Sequence, residues 1–276
     1  MALILMLIGT LLSETSSSMG KNAVNNHSET VYSFGFLSLF WSVVFFGVTG
    51  LVLSDFVFDI RSLPLFTLRL ILEIILAHIA LTSIVLANRS TVSFLKLVTI
   101  PLLLLVDLAV GYSIALPQIF GIFLILAALM TVFWHNPSDK KGSMLVLTAS
   151  VIAVATTSLF KYNITYYNSV AAEQLIVSAS LLIYFTIMSI FVGKERPWKL
   201  LSGFYTEVQS ITHGIAGVLL SFAYIFAPAS IIITMKRSLS ILWSIIFGQR
   251  YFHEQNLARK LIALPIVVIG LILISM

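Results

Sequence analysis

Long apolar runs separated by short polar breaks set the pattern of this chain. Ten runs of 18 to 25 residues stand out: 1–20, 33–53, 67–88, 91–111, 117–134, 143–162, 168–192, 204–226, 230–250 and 258–275. A helix needs about 20 mostly apolar residues to cross about 30 Å of hydrocarbon, so each run is long enough to span a membrane. The breaks carry helix-stopping and turn residues, among them Asn25-Asn26-His27, Pro64, Asn88-Arg89, Pro117, His135-Asn136-Pro137-Ser138-Asp139, Lys194-Glu195-Arg196-Pro197 and His253-Glu254-Gln255-Asn256. A transmembrane barrel would alternate apolar and polar residues over segments of about ten. Runs such as Ile100 to Leu105 are continuously apolar instead, so the pattern predicts helices. Nothing between the spans is long enough for a soluble domain.

Composition agrees with this pattern. Of the 276 residues, 59% are hydrophobic and 10% are charged, and the mean hydropathy is +1.05. A soluble domain carries about 25% charged residues, so this chain has too little polar surface to face water all round. The net charge of +5 is spread thinly through short loops and forms no basic arm or patch of the kind that holds nucleic acid. No Cys is present, which removes disulfides, thiolate metal sites and cysteine nucleophiles. The first span has no positively charged start and no small-x-small cleavage site, so it is expected to stay as a membrane span.

Sliding the chain against itself by 140 residues lays five spans on five. Ser17, Ser18 and Lys21 fall on Thr157, Ser158 and Lys161, and Ala87, Ser90 and Lys96 fall on Ala227, Ser230 and Lys236. The matched span boundaries point to a duplication with repeats at 1–137 and 143–276. Each half holds an odd number of spans, so the two halves must enter the membrane in opposite senses. That is the inverted-repeat plan of secondary transporters, whose sites lie near the midplane between repeats. The expected fold is therefore an all-α membrane protein, with ten transmembrane helices as two inverted five-helix repeats around a central cavity.

Few charges fall inside the spans. A Lys or Arg at a helix centre costs about 2.5–3.5 kcal/mol on insertion scales, which makes each one a candidate functional residue. Lys96 lies six positions into the fourth span, and Lys236 and Arg237 lie seven and eight positions into the ninth. Lys236, Ser240, Trp243 and Ser244 recur on one helical face. Lys96 and Asp107 share nearly one face about 16 Å apart along the axis. Glu14, Ser17, Ser18 and Lys21 form a stripe on the first span, and Thr157, Ser158 and Lys161 form another on the sixth. Such stripes are expected to line a wet cavity. For Lys21 and Lys161, at span ends, snorkelling to the headgroups is the expected fate. The anion that meets Lys236 and Arg237 is either a carboxylate of the chain (Asp107, Glu73 or Glu207) or a substrate phosphate or carboxylate, which Arg grips as a fork and Lys as a point charge. Further polar candidates are Glu73 and His78 on the third span, Glu173 and Gln174 on the seventh, and Glu207, Gln209 and His213 on the eighth. Of these, Glu73, His78, Glu207 and His213 are the candidates for carrying a coupling proton. Glu73 follows Arg69 by four residues, which favours a local ion pair. Tyr224 and Trp243 are the aromatic residues expected near substrate.

The stretch Ala227-Pro228-Ala229-Ser230, followed by MKRSLSILWSIIFGQRYFHE at 235–254 and an apolar last span with Gly270, resembles the carboxyl-terminal half of EamA-type members of the drug/metabolite transporter superfamily. The resemblance covers the whole chain in span count and is sequence-specific mainly over residues 222–276. In the first half, Asn88-Arg89 stands where that pattern has Ala-Pro, and Gly111-Tyr112-Ser113 where it has a Gly-acid ending. The resemblance implies ten helices in two inverted five-helix repeats around a central cavity, each half EamA-like. In the triose-phosphate translocator branch of the superfamily, a lysine on the fourth helix and a Lys-Arg pair on the ninth clamp the substrate phosphate. Lys96, Lys236 and Arg237 match those positions.

No P-loop, dinucleotide fingerprint, His-Glu-x-x-His or Gly-x-Ser-x-Gly motif occurs, and the five histidines are scattered. No enzymatic activity, cofactor or metal is expected. The reading is a secondary transporter of a small anionic or zwitterionic metabolite, phosphorylated or carboxylated, working by alternating access. The alternatives are an amino-acid or drug exporter of the same fold, and a membrane subunit or enzyme acting on lipid-linked substrates. Its partners are a small-molecule substrate and the lipid bilayer, with no nucleic acid, and no oligomeric state is specified. A multi-pass protein of a cell membrane, the bacterial inner membrane first, is the expected setting. Ten Lys and Arg flank the odd-numbered turns and three the even-numbered ones. The positive-inside rule would therefore put both termini outside, opposite to what the resemblance implies.

Overall fold

In a computed structural model of the chain, residues 1–88, 92–93, 95–109, 140–226 and 229–252 are described, with isolated positions between 116 and 128 and between 265 and 273. Among the described residues every regular element is helical. The helices are α1 (Ala2–Asn25), α2 (Val31–Val52), α3 (Leu63–Leu86), α4 (Thr99–Ala109), α5 (Lys140–Tyr166), α6 (Val170–Phe191), α7 (Phe204–Phe226) and α8 (Ala229–Phe252). They correspond to the first four and the sixth to ninth predicted spans. The fifth and tenth fall largely outside the described residues. Among the described residues, six helical stretches are long and apolar enough to cross a membrane, ending with Phe204–Phe226. Over the described residues the chain is an all-helical, membrane-embedded protein.

Helices form here because hydrocarbon offers backbone groups no other partner than their own segment. Their ends are marked by local chemistry. Thr30 caps α2 by accepting from Ser33 N, Ser169 caps α6 by accepting from Ala172 N, and Pro64 sits in the first turn of α3. Within the helices, hydroxyls turn back on carbonyls four residues earlier, as Thr10 does to Met6 at 2.6 Å and Ser38 to Phe34 at 2.8 Å. This lets a serine-rich helix sit among apolar neighbours without a stranded donor.

Helix α1 runs antiparallel along α7, α3 packs along α5, and α2 packs along both α6 and α7. Small residues set these approaches. A Cβ added at Gly214 would lie 2.7 Å from the Trp41 carbonyl carbon and 2.9 Å from Ser42 N, so α7 touches the α2 backbone there. Ser210 donates to the Leu37 carbonyl one turn away, and Ser16 on α1 donates to the Gln209 carbonyl at 2.8 Å. With no hydrophobic force between helices in lipid, such close contacts and interhelical hydrogen bonds supply the association energy.

Two apolar clusters pack beside the polar interior and adjoin where Leu95 and Leu97 lie two residues apart. Met6, Leu97, Ile100, Leu220, Ile232 and Ile241 pack where α1 begins and α7 finishes. Phe34, Ile84, Ala87, Val92, Leu95 and Val146 pack where α2 begins and α3 finishes. Gly214→Ala is expected to force α2 and α7 apart and cost about 1–3 kcal/mol, the usual range for overpacking. A lowered thermal-unfolding midpoint of the purified protein checks this, and an unchanged midpoint would contradict the contact.

Candidate functional site

Lys96 leads into α4 from a 3-10 turn, Lys96–Val98, while Lys236 and Arg237 occupy successive positions in the first third of α8. These three residues line two neighbouring cavities. The larger, about 280 Å³, opens between α3, α5, α6 and α7, where Arg69, Glu73, Thr157, Gln174, Ser221 and Tyr224 complete its wall. The smaller, about 240 Å³, lies between α1, α2, α3 and α8, where Glu14, Ser17, Ser38, Ser93, His213 and Ser240 complete its wall. The three cations form a belt shared by both chambers.

Hydroxyl and carboxylate groups surround the belt. Arg237 Nε donates to Thr99 Oγ1 at 3.2 Å. Ser240 donates to the Glu14 carboxylate and lies 3.4 Å from Ser93 Oγ. The His213 Nδ1 is 3.5 Å from Ser16 Oγ. In the larger chamber Gln174 Nε2 donates to Ser221 Oγ at 3.0 Å, and the Tyr224 ring packs edge-on against Phe160 at 5.5 Å. Each chamber thus offers cations together with one carboxylate, Glu73 in the first and Glu14 in the second. A site of this kind can grip an anionic group and still present an acceptor to an ammonium or hydroxyl on the same molecule.

Behind the larger chamber lies an ion pair that spacing along the chain did not reveal. Arg69 is 2% exposed, and its Nη1 sits 2.6 Å from Glu173 Oε1, against 3.7 Å between its Nη2 and Glu73. The Arg69–Glu73 pair expected from the i, i+4 spacing is present, but the shorter contact is to Glu173, 104 residues away. Glu173, fully buried, also accepts from Asn163 Nδ2 at 2.9 Å and from Asn168 Nδ2. Asn168 Oδ1 in turn accepts from Asp59 N at 2.9 Å, so one carboxylate ties α3, α5, α6 and the turn before α3 together. The Phe160 ring lies 4.5 Å from the guanidinium carbon and covers its face.

Several sequence-predicted residues sit elsewhere. On α8 only Lys236 and Ser240 of the four-residue stripe reach the chambers; the buried Ser244 turns back to the Ile241 carbonyl, and the Trp243 Nε1 is buried without a partner among the described residues. Ser18 points away from Glu14 and Ser17 into a separate apolar groove with Met19, Tyr205 and Phe247. Ser158 and Glu207 line neither chamber. His78 is spent on Tyr184, whose hydroxyl lies 2.9 Å from its Nδ1. The Asp107 side chain lies outside the described residues. Lys21 and Lys161 do not reach outward as expected: Lys21 donates to the Ala87 carbonyl at the end of α3, and Lys161 donates to the Tyr224 carbonyl near the end of α7 at 2.8 Å. Unsatisfied carbonyls at a helix C-terminus attract cations, which gives these lysines an inward target. Ser38, Ser93 and the role of Arg69 were missed, because serines without a charged neighbour and a cation near a span start carry no distinguishing signal.

No protein-family profile matches the chain, and no curated protein matches it. Removing one partner of a buried ion pair strands the other, at about 3–5 kcal/mol. Glu173→Ala is therefore expected to lower the unfolding midpoint sharply, and the double variant Arg69→Met/Glu173→Leu to recover most of the loss. Equal melting of wild type and Glu173→Ala would show the pair to be dispensable.

Proposed function

We propose that the chain is a secondary transporter of a small anionic or zwitterionic metabolite, carrying a phosphate or carboxylate, built as two inverted five-helix repeats of EamA type. The observation that carries this reading is the convergence of Lys96, in the turn that leads into α4, with Lys236 and Arg237, within α8, on both chambers. Lysines and arginines inside a membrane span are costly unless an anion or water meets them. A substrate anion desolvated between Arg237 as a fork and the two lysines as point charges repays that cost.

The helix contacts support the repeat. The 140-residue shift superimposes α1 on α5, α2 on α6 and α3 on α7. Exchanging the halves turns the α1–α7 contact into the α5–α3 contact and maps the α2–α6 contact onto itself, and all three contacts occur. The lysine caps follow the same rule. Lys21 reaches the carbonyl of Ala87, and its counterpart Lys161 reaches that of Tyr224, one helical turn before the counterpart of Ala87. The α2–α7 seam is closely packed through Gly214, whereas its counterpart between α3 and α6 is bridged mainly by side chains, Arg69 to Glu173 and His78 to Tyr184. Two seams packed to different degrees are what a two-state rocking carrier needs, with one face closed at a time. Glu73, Glu14 and His213 give the chambers titratable groups for coupling.

Selective thermal stabilisation of the purified protein by inorganic phosphate, phosphorylated sugars or anionic amino acids is expected, with no response to neutral sugars. Arg237→Ala is expected to weaken that response about 10–100-fold in apparent affinity, in line with about 1.5–3 kcal/mol for a hydrogen bond to a charged group. A response to neutral solutes as large as that to anions, or one unchanged in Arg237→Ala, would overturn the anion site.

A further inference from the structure

At the end of the bundle where α1 finishes, a short turn over residues 26–30 leads into α2, and Glu29 in this turn is 3% exposed. A carboxylate there would ordinarily reach water. Instead its Oε1 accepts from Gln209 Nε2 on α7 at 3.4 Å, while its Oε2 has no partner among the described residues. Gln209 is itself fully buried, and its Oε1 is also without a partner among the described residues. Two acceptor oxygens, one on each side of an amide already facing a carboxyl, are thus left over. An ionised carboxylate offers nothing to the Gln209 oxygen. A neutral carboxylic acid has one hydroxyl to donate, and one proton satisfies both atoms.

We propose that Glu29 is a proton-binding site: its carboxyl stays protonated at neutral pH and closes a two-hydrogen-bond ring with the Gln209 amide, which fastens the α1–α2 turn to α7 until the proton leaves. The backbone on both sides is fixed for this. Ser16 on α1 donates to the Gln209 carbonyl at 2.8 Å, and Glu195, from the loop after α6, accepts from Thr30 N at 3.2 Å, from Thr30 Oγ1 at 2.8 Å and from Ser33 Oγ. Glu195 therefore caps the first turn of α2 as an acceptor, close enough to act electrostatically on Glu29. Burial pushes the Glu29 carboxyl from 4.5 up to about 8; the Gln209 hydrogen bond works the other way, and the Glu195 charge adds to the rise. The other charged and titratable groups on the surrounding elements are buried Lys21 on α1, engaged with the Ala87 carbonyl, exposed His27 on the turn, exposed Lys194 and Arg196 flanking Glu195, and Glu207 on α7. Loss of the proton sets two carboxylates side by side and breaks the ring, so ionisation loosens the α1–α2 turn and the loop after α6 together. None of this depends on what the cationic chambers carry.

The folded chain holds a proton that the unfolded chain gives up near 4.5, so this group's stabilisation is complete below that pH, falls as pH rises to about 8 and is constant above. Thermal unfolding of the full chain in nanodiscs, followed against pH, is expected to show this slope in wild type. Glu29→Gln, whose amide permanently supplies the donor, is expected to flatten the slope across the window. An infrared pH titration is expected to show a carboxylic-acid carbonyl band that disappears with a midpoint near 8 in wild type and is absent from Glu29→Gln. Glu195→Gln is expected to keep the band and move its midpoint lower, a readout that stands even if Glu29→Gln fails to fold. Parallel unfolding profiles for wild type and Glu29→Gln, the same band in both, or an unmoved midpoint in Glu195→Gln would overturn the proposal.

Discussion

A charge inside hydrocarbon has to be met by another charge, by a helix end or by water, and this demand organises the whole interior of the bundle. Arg69 meets it with Glu173, which draws in Asn163 and Asn168 as further donors. Lys21 and Lys161 meet it at the carbonyls ending α3 and α7. Lys96, Lys236 and Arg237 meet it at two chambers whose walls carry Glu14, Glu73 and a set of hydroxyls. The desolvation cost of an unpaired cation exceeds most packing terms, so the helices must cross where these partners coincide.

Packing serves this arrangement rather than opposing it. Serine and glycine at the seams let backbones approach to contact distance, as at Gly214 against Trp41 and Ser42, and spend their hydroxyls on carbonyls. Two apolar clusters, one around Leu97 and Ile232 and one around Phe34 and Leu95, pack beside the polar middle. In the proposed carrier this gives a charged centre bordered by apolar packing, in which a substrate anion passes from one chamber to the other across the shared cationic belt.

Proton chemistry sits apart from that centre. The sequence directs attention to Glu73, His78, Glu207 and His213 because they lie within spans. Glu29 lies in a turn, where a carboxylate is ordinarily solvated, and nothing in its neighbours Ser28 and Thr30 signals burial. Its environment comes from α7 and from the loop after α6, whose contact residues Gln209 and Glu195 lie 180 and 166 positions further along. His78 shows the reverse case: a titratable group deep in a span that an aromatic hydroxyl already occupies.

The amino-acid pattern by itself determined the described helices, with ends within about five residues except in the fourth span, where a 3-10 turn precedes α4, because the length of an apolar run and the polar residues that end it are local properties. It also singled out Lys96, Lys236 and Arg237, since a cation in an apolar run is conspicuous without any knowledge of its neighbours. What only the tertiary structure decided is who faces whom. The i, i+4 rule found Glu73 for Arg69 and missed Glu173; the stripe on α8 held for Lys236 and Ser240 and failed for Trp243 and Ser244; Ser17 went to the chamber and Ser18 to another groove. A helix presents all its faces equally in sequence. Which face meets a partner depends on crossing angles set by distant small residues such as Gly214, and those angles are a property of the packed bundle alone.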